Sequence, residues 1–140
     1  MGADILRKGL PALERGELPP SVQDDSLATY APLLKRENGL IDWSFDATMI
    51  ANRVRGFTPW PGTYTTWRGK RLLVNTAEPI AALPKESPGK VLETGPEGIL
   101  VACGTGALTI NSLKPEGSRE MTAAQFLAGH ELKTGDLLGD

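Results

Sequence analysis

Thr63-Tyr-Thr-Thr-Trp67 runs through Arg68-Gly69 into Lys70-Arg-Leu-Leu-Val-Asn-Thr76. Two runs rich in β-branched and aromatic residues, joined by a two-residue loop that ends in glycine, predict an antiparallel hairpin. Three more short apolar runs follow at Lys90–Glu93, Gly98–Cys103 and Ala107–Leu113, separated by a proline-containing stretch from Pro79 to Pro88, by Gly95-Pro96-Glu97-Gly98 and by Gly104-Thr-Gly106. Glycine in these turns supplies the positive φ that a hairpin needs. Five short strands at hairpin spacing predict a mainly β domain, a small antiparallel barrel with flanking helices.

Helical periodicity lies on both sides of this region. Within Asp42–Arg55, Asp46 can cap a helix whose Ile50, Ala51 and Val54 share one face. Met121–Gly129 reads as a closing helix capped by Thr122, with Phe126 and Leu127 turned to the barrel. Near the amino end, Ile5, Leu6, Leu10 and Leu13 recur at helical spacing over residues 3–16, with Gly16 as a stop. Pro11 lies inside that span and predicts a kink, a short helix or a restart. Leu18-Pro-Pro-Ser-Val-Gln-Asp-Asp-Ser26 reads as a stiff polar linker, which divides the chain into residues 1–23 and a domain at 24–140.

Length and composition bound what this domain can be. The 140 residues, 40% hydrophobic and 23% charged, suit one ordinary domain with a modest core and leave no room for a second full one. The longest apolar run, Gly98–Cys103, is far short of a membrane span, and Met1-Gly-Ala-Asp-Ile-Leu-Arg7 is unlike a secretory signal. Cys103 stands alone, which fits a reducing compartment. Net charge is −2, but it is unevenly spread: residues 53–119 carry an excess of +4 between flanks of −3 each. A basic central unit can meet phosphate, because neutralising backbone charge is the main sequence-independent source of nucleic-acid affinity. A plain scatter of solvated lysines and arginines is the alternative.

The residues offer no catalytic constellation. His130 has no neighbouring ligand with which to hold a metal, and Cys103 sits in an apolar strand as a small core residue. Gly104-Thr-Gly106 lacks the third glycine of a dinucleotide loop, and Asp24-Asp25 lies in the linker. The most unusual segment is Arg55-Gly-Phe-Thr-Pro-Trp-Pro-Gly62. Prolines on both sides of Trp60 restrict its backbone and predict a plug for one end of the core, with base stacking as the functional alternative.

Six ordered landmarks carry a resemblance: Ala28-Thr-Tyr-Ala-Pro32, Gly39-Leu-Ile-Asp-Trp43, Arg53-Val-Arg-Gly-Phe-Thr-Pro-Trp-Pro-Gly62, Pro88-Gly-Lys-Val91, Val101-Ala-Cys-Gly104 and Met121-Thr-Ala-Ala-Gln-Phe-Leu127. Together they resemble the C-terminal region of the methionyl-tRNA formyltransferases, over essentially the whole chain. The resemblance implies a five-stranded, OB-like Greek-key barrel that helps to bind initiator methionyl-tRNA in the cytoplasm. It implies further that residues 1–23 are the last helix and exit of a catalytic domain. That missing N-terminal domain would hold the catalytic Asn, His and Asp and the 10-formyltetrahydrofolate pocket. His130 does not match its histidine, so this chain carries no catalytic residue, no cofactor and no metal, and is expected to be inactive alone. Lys35 and Arg36 match the family's basic connector, although Leu33 stands where a lysine often follows the Ala-Pro pair. Arg53, Arg55, Lys70, Arg71, Lys90, Lys114 and Arg119 are further tRNA-binding candidates, chosen from the basic central segment. Two other classes remain open: a structural barrel from a formyltetrahydrofolate hydrolase or a nucleotide-sugar formyltransferase, and a free-standing interaction module.

Overall fold

The period-2 pattern of Thr63-Tyr-Thr-Thr-Trp67 forms β1, with Thr63 and Thr65 buried and Tyr64 and Thr66 on the opposite face. In the computed structural model, which describes residues 2–81 and 86–139, β1 (Thr63–Trp67) pairs antiparallel with β2 (Lys70–Ile80). β3 (Val91–Gly95), β4 (Gly98–Ala102) and β5 (Ala107–Pro115) follow, and a two-residue β6 (Met121–Thr122) adds to β5. The order across the sheet is β1-β2-β5-β4-β3. Successive hairpins join β3, β4 and β5, while β2 lies beside β5, which is the Greek-key arrangement.

β2 is longer than the expected Lys70–Thr76. It continues through Pro79, whose partner on β5 is Leu108. Beyond Val74, the partner of Thr63, β2 has left β1 behind, so a proline without an N–H is tolerated along that free side. Asn75 is the extra residue of a bulge between Val74 and Thr76. Of the expected connection from Pro79 to Pro88, residues 82–85 lie outside the described residues.

The chain divides into two compact units, Met1–Pro32 and Leu33–Asp140. In the first, α1 (Gly2–Glu14) is a single helix with Pro11 inside it. It ends as the Gly16 and Glu17 amides return to the Leu13 and Ala12 carbonyls. Ile5, Leu6, Leu10 and Leu13 are all exposed. A short 3-10 turn, Asp25–Leu27, interrupts the otherwise extended linker, its start capped by Asp24.

In the second unit, α2 (Ala47–Gly56) buries Ala47, Ile50, Ala51 and Val54 and packs on β2 and β5. Its cap is the expected one: the Asp46 carboxylate accepts from Thr48 N–H at 2.8 Å. α3 (Ala123–Gly129) is closed at its start by a reciprocal pair, Gln125 N–H to Thr122 Oγ1 and Thr122 N–H to Gln125 Oε1. Phe126 is fully buried from this helix, and Leu127 packs against the core from its margin.

Two features depart from the sequence-based picture. Trp60 is not a core plug: it is 54% exposed, in the turn after α2. The plug is Trp43, 5% exposed, whose indole N–H bonds to the Thr65 hydroxyl at 3.0 Å. The prolines hold Trp60 on the surface side of a turn, whereas Trp43 enters from the bend before α2, where Phe45 N–H returns to the Asp42 carbonyl. The second feature is the tail after α3, to which sequence periodicity assigns no element. Its backbone runs along the free edge of β3, with Gly135 N–H donating to Val91 O, Val91 N–H to Asp136 O and Leu138 N–H to Gly89 O. Gly139 N–H then donates to Thr66 O of β1 at 2.9 Å, so the tail spans the two outer strands of the sheet. Leu132 and Leu138 anchor it in the core.

Candidate nucleic-acid interface

Three of the basic candidates, Lys35, Arg36 and Arg53, meet where the connector reaches the β1 edge. Residues Arg36–Gly39 form a 3-10 turn, pinned by Lys35 N–H donating to Asn38 Oδ1 at 2.7 Å. Leu40 makes a parallel bridge to Tyr64, and Ile41 N–H donates to Tyr64 O at 2.8 Å. Lys35 and Arg36 are thereby held beside β1 with both side chains exposed. Arg53 helps to fix this turn. Its guanidinium lies 5.6 Å from the Phe45 ring centre and 5.3 Å from that of Phe57, and donates to Asn38 O at 3.0 Å.

Alternation along the strands then builds the adjoining face. Because Leu72 and Val74 point inward, Arg71 and Leu73 point outward with Tyr64 and Thr66. Arg71 lies flat against Tyr64, 3.8 Å from the ring centre. Tyr64, Leu73 and Lys114 are direct register partners across β1, β2 and β5, so Lys114 stands two strand spacings, about 10 Å, from Tyr64. Lys70 opens β2 at the hairpin, exposed. Arg71 and Lys114 therefore share the outward side of the β1-β2-β5 region with Tyr64, Lys70 lies on the opposite face by the same alternation, and Lys35 and Arg36 stand at the β1 edge near Arg53.

The other candidates stand elsewhere. Lys90 is at the β3 edge, on the far side of the sheet order, bonded to Glu86 at 2.8 Å and bridged to Leu137. Arg55, exposed on α2, bonds to Asn52 Oδ1. Arg119 is exposed in the turn between β5 and β6. Two residues outside the sequence-based set join the basic face, Tyr64 and Arg68. Tyr64 could have been found from the period-2 alternation of β1. Arg68 occupies the two-residue loop, where φ is positive at both Arg68 and Gly69, and its head is 4.6 Å from the Trp67 ring centre. The Arg-Gly pair between two strands was its signal.

The residues screened for chemistry are occupied structurally. His130 Nδ1 lies 3.0 Å from the Phe126 carbonyl, and its ring stacks on Phe126 with centres 4.2 Å apart. Cys103 is buried, and that burial, helped by the Asp46 charge, pushes its thiol pKa up to about 12. Among the described residues, no group of three His, Cys, Asp or Glu side chains is placed to hold a metal ion. No helix among them is long and apolar enough to cross a membrane.

Residues 33–131 match the family of formyl transferase C-terminal domains. Methionyl-tRNA formyltransferase of Citrifermentans bemidjiense is 50% identical over 139 residues, covering 99% of this chain and 43% of its own length. That of Geobacter sulfurreducens is 44% identical over 140 residues, covering 100% of this chain and 44% of its own. Among solved structures, HypX from Aquifex aeolicus in complex with tetrahydrofolic acid superposes with a TM-score of 0.58 at 25% identity, over 96% of this chain and 26% of HypX. The chain thus spans less than half the length of the curated relatives it matches. Since the family match takes in the connector turn, the sheet and α3 together, the chain belongs to the formyl transferase C-terminal domain family.

Proposed function

We propose that this chain is the tRNA-binding portion of a methionyl-tRNA formyltransferase and works in the cytoplasm with a catalytic domain that precedes it. Residues 1–23 are the end of that domain and its exit, and residues 24–140 are the binding domain. The whole enzyme would formylate initiator methionyl-tRNA from 10-formyltetrahydrofolate, whereas this part carries no catalytic group and turns over nothing alone. The observation that supports the reading is the outward pair Arg71 and Lys114 on β2 and β5, with half-buried Tyr64 between them and the connector, flanked by exposed Lys35 and Arg36 at the β1 edge and by exposed Arg68 and Lys70 at the hairpin. Such a face neutralises phosphates without reading bases, and non-specific affinity of this kind is on the order of 10⁻⁴ to 10⁻⁶ M at physiological salt.

Titration of labelled tRNA at several salt concentrations tests this. Binding should weaken steeply with salt, and replacing Lys35, Arg36, Lys70 or Arg71 by alanine should flatten the salt slope by about one unit for each true contact. The likeness to HypX, solved with tetrahydrofolic acid, favours a second reading, a structural barrel of a formyl-group enzyme acting on a small molecule. No binding of tRNA even at low salt would select it.

A further inference from the structure

Residues Arg36–Gly39 make a single turn of 3-10 helix, too short to hold itself together apart from the domain. The turn is fixed from two sides. A Cβ on Gly39 would overlap Gly62 O, so the back of the turn is pressed on the backbone that leads into β1. From the other side comes Arg53, in the last turn of α2. Its guanidinium sits against Phe45 and Phe57, 5.6 and 5.3 Å from their ring centres, and donates to Asn38 O at 3.0 Å. Asn38 Oδ1 in turn accepts from Lys35 N–H at 2.7 Å. Two successive hydrogen bonds therefore run from α2 to the backbone of Lys35. The Arg53 charge also faces the Asp42 carboxyl, which the Ser44 hydroxyl and N–H, and after them Arg53, hold below the usual carboxylate range.

We propose that Arg53 is a positioning residue for tRNA and not itself a contact: through Asn38 it fixes the connector turn, and with it Lys35 and Arg36, in place. The proposal rests on the tRNA-binding reading and reassigns one of its candidates. An arginine head that lies against two rings and donates to a carbonyl is committed within the domain, and moving it to a ligand would give up those contacts. Lys35 and Arg36, by contrast, are exposed. Without Arg53 the short turn would fray into the extended linker before it. Two long side chains on a frayed segment lose more freedom on binding than two on a fixed one, so affinity falls although their charge is unchanged. The arrangement is specific to arginine, because a lysine keeps the charge but has no planar face to lay against the rings.

The test compares the full 140-residue chain with Arg53→Lys and with Asn38→Ala, which cuts the relay at an exposed, uncharged residue. In both variants hydrogen exchange at the Lys35 and Leu40 amides should quicken, and affinity for labelled tRNA at fixed salt should fall about 3- to 10-fold. In a chain already carrying Lys35→Ala and Arg36→Ala, the same two changes should leave affinity as it is, because nothing remains to be positioned. An equal loss in that background, or parental affinity in Arg53→Lys, overturns the proposal. Unchanged exchange at Lys35 overturns it as well, and leaves the tRNA-binding reading standing. No binding of tRNA by the parent chain at low salt removes the reading and the proposal together.

Discussion

The indole N–H of Trp43 donates to the hydroxyl of Thr65 across 3.0 Å, and both residues are buried, on opposite sides of the junction between the connector and β1. The pair satisfies two polar groups that burial would otherwise leave costly. Trp43→Ala should lower stability by about 3 to 5 kcal/mol, the usual range for a truncated core tryptophan. Trp43→Phe should cost about 1 to 3 kcal/mol, because it strands the Thr65 hydroxyl. Urea denaturation of both variants measures the two steps, and a Trp43→Phe loss near zero would mean that the hydrogen bond contributes nothing.

Trp60, more than half exposed, should behave in the opposite way. Trp60→Ala is expected to shift stability by no more than about 0.5 kcal/mol, as for ordinary surface positions. If the same variant lost RNA affinity, base stacking by Trp60 would join the phosphate contacts as a source of binding. A thermal melt and an RNA titration on one preparation separate these outcomes.

The tail that spans β3 and β1 depends on Gly89 and Leu138. A Cβ on Gly89 would lie 2.6 Å from Leu138 O, and φ there is +84°, so Gly89→Ala should destabilise by more than about 1 kcal/mol. Leu138→Ala, at a side chain 4% exposed, should cost about 2 to 5 kcal/mol. In both variants, faster hydrogen exchange at Val91 and Gly139 would show the tail released. Unchanged exchange would mean that it is not held by these contacts.

Cys103 gives a pH dependence. Its folded pKa, about 12, stands above the ordinary thiol value near 9, so the folded state holds its proton more tightly than the unfolded chain. Stability from this group is intact below about pH 9 and falls as pH rises towards 12, at up to about 1.4 kcal/mol per pH unit. Cys103→Ala should flatten that alkaline limb in denaturation curves. The native thiol should also resist alkylation at pH 8, and labelling as fast as in the denatured chain would contradict its burial.

Formylation of methionyl-tRNA with 10-formyltetrahydrofolate should not proceed above a no-protein control with the purified chain. Turnover would show that this chain carries a catalytic group.

Local chemistry was legible in the sequence because it acts over a few residues. The alternation in Thr63–Trp67, the Arg68-Gly69 loop, and the Asp46 and Thr122 caps are set by neighbours in the chain, and each is where its pattern puts it. The family was legible too, since its landmarks are short strings in order. Which tryptophan fills the core was not, because two prolines restrict a backbone without saying which way it faces. That was decided by the bend at Asp42–Phe45, which turns Trp43 towards Thr65, a residue 22 positions on. The basic face was only partly legible. Composition locates positive charge between residues 53 and 119, but Lys90 goes to the far edge and Lys35 to the near one because strand order, not chain order, sets their neighbours. The tail 131–139 has no periodicity, since its backbone satisfies itself on β3 and β1 rather than within its own segment, and only the closed tertiary structure provides those partners.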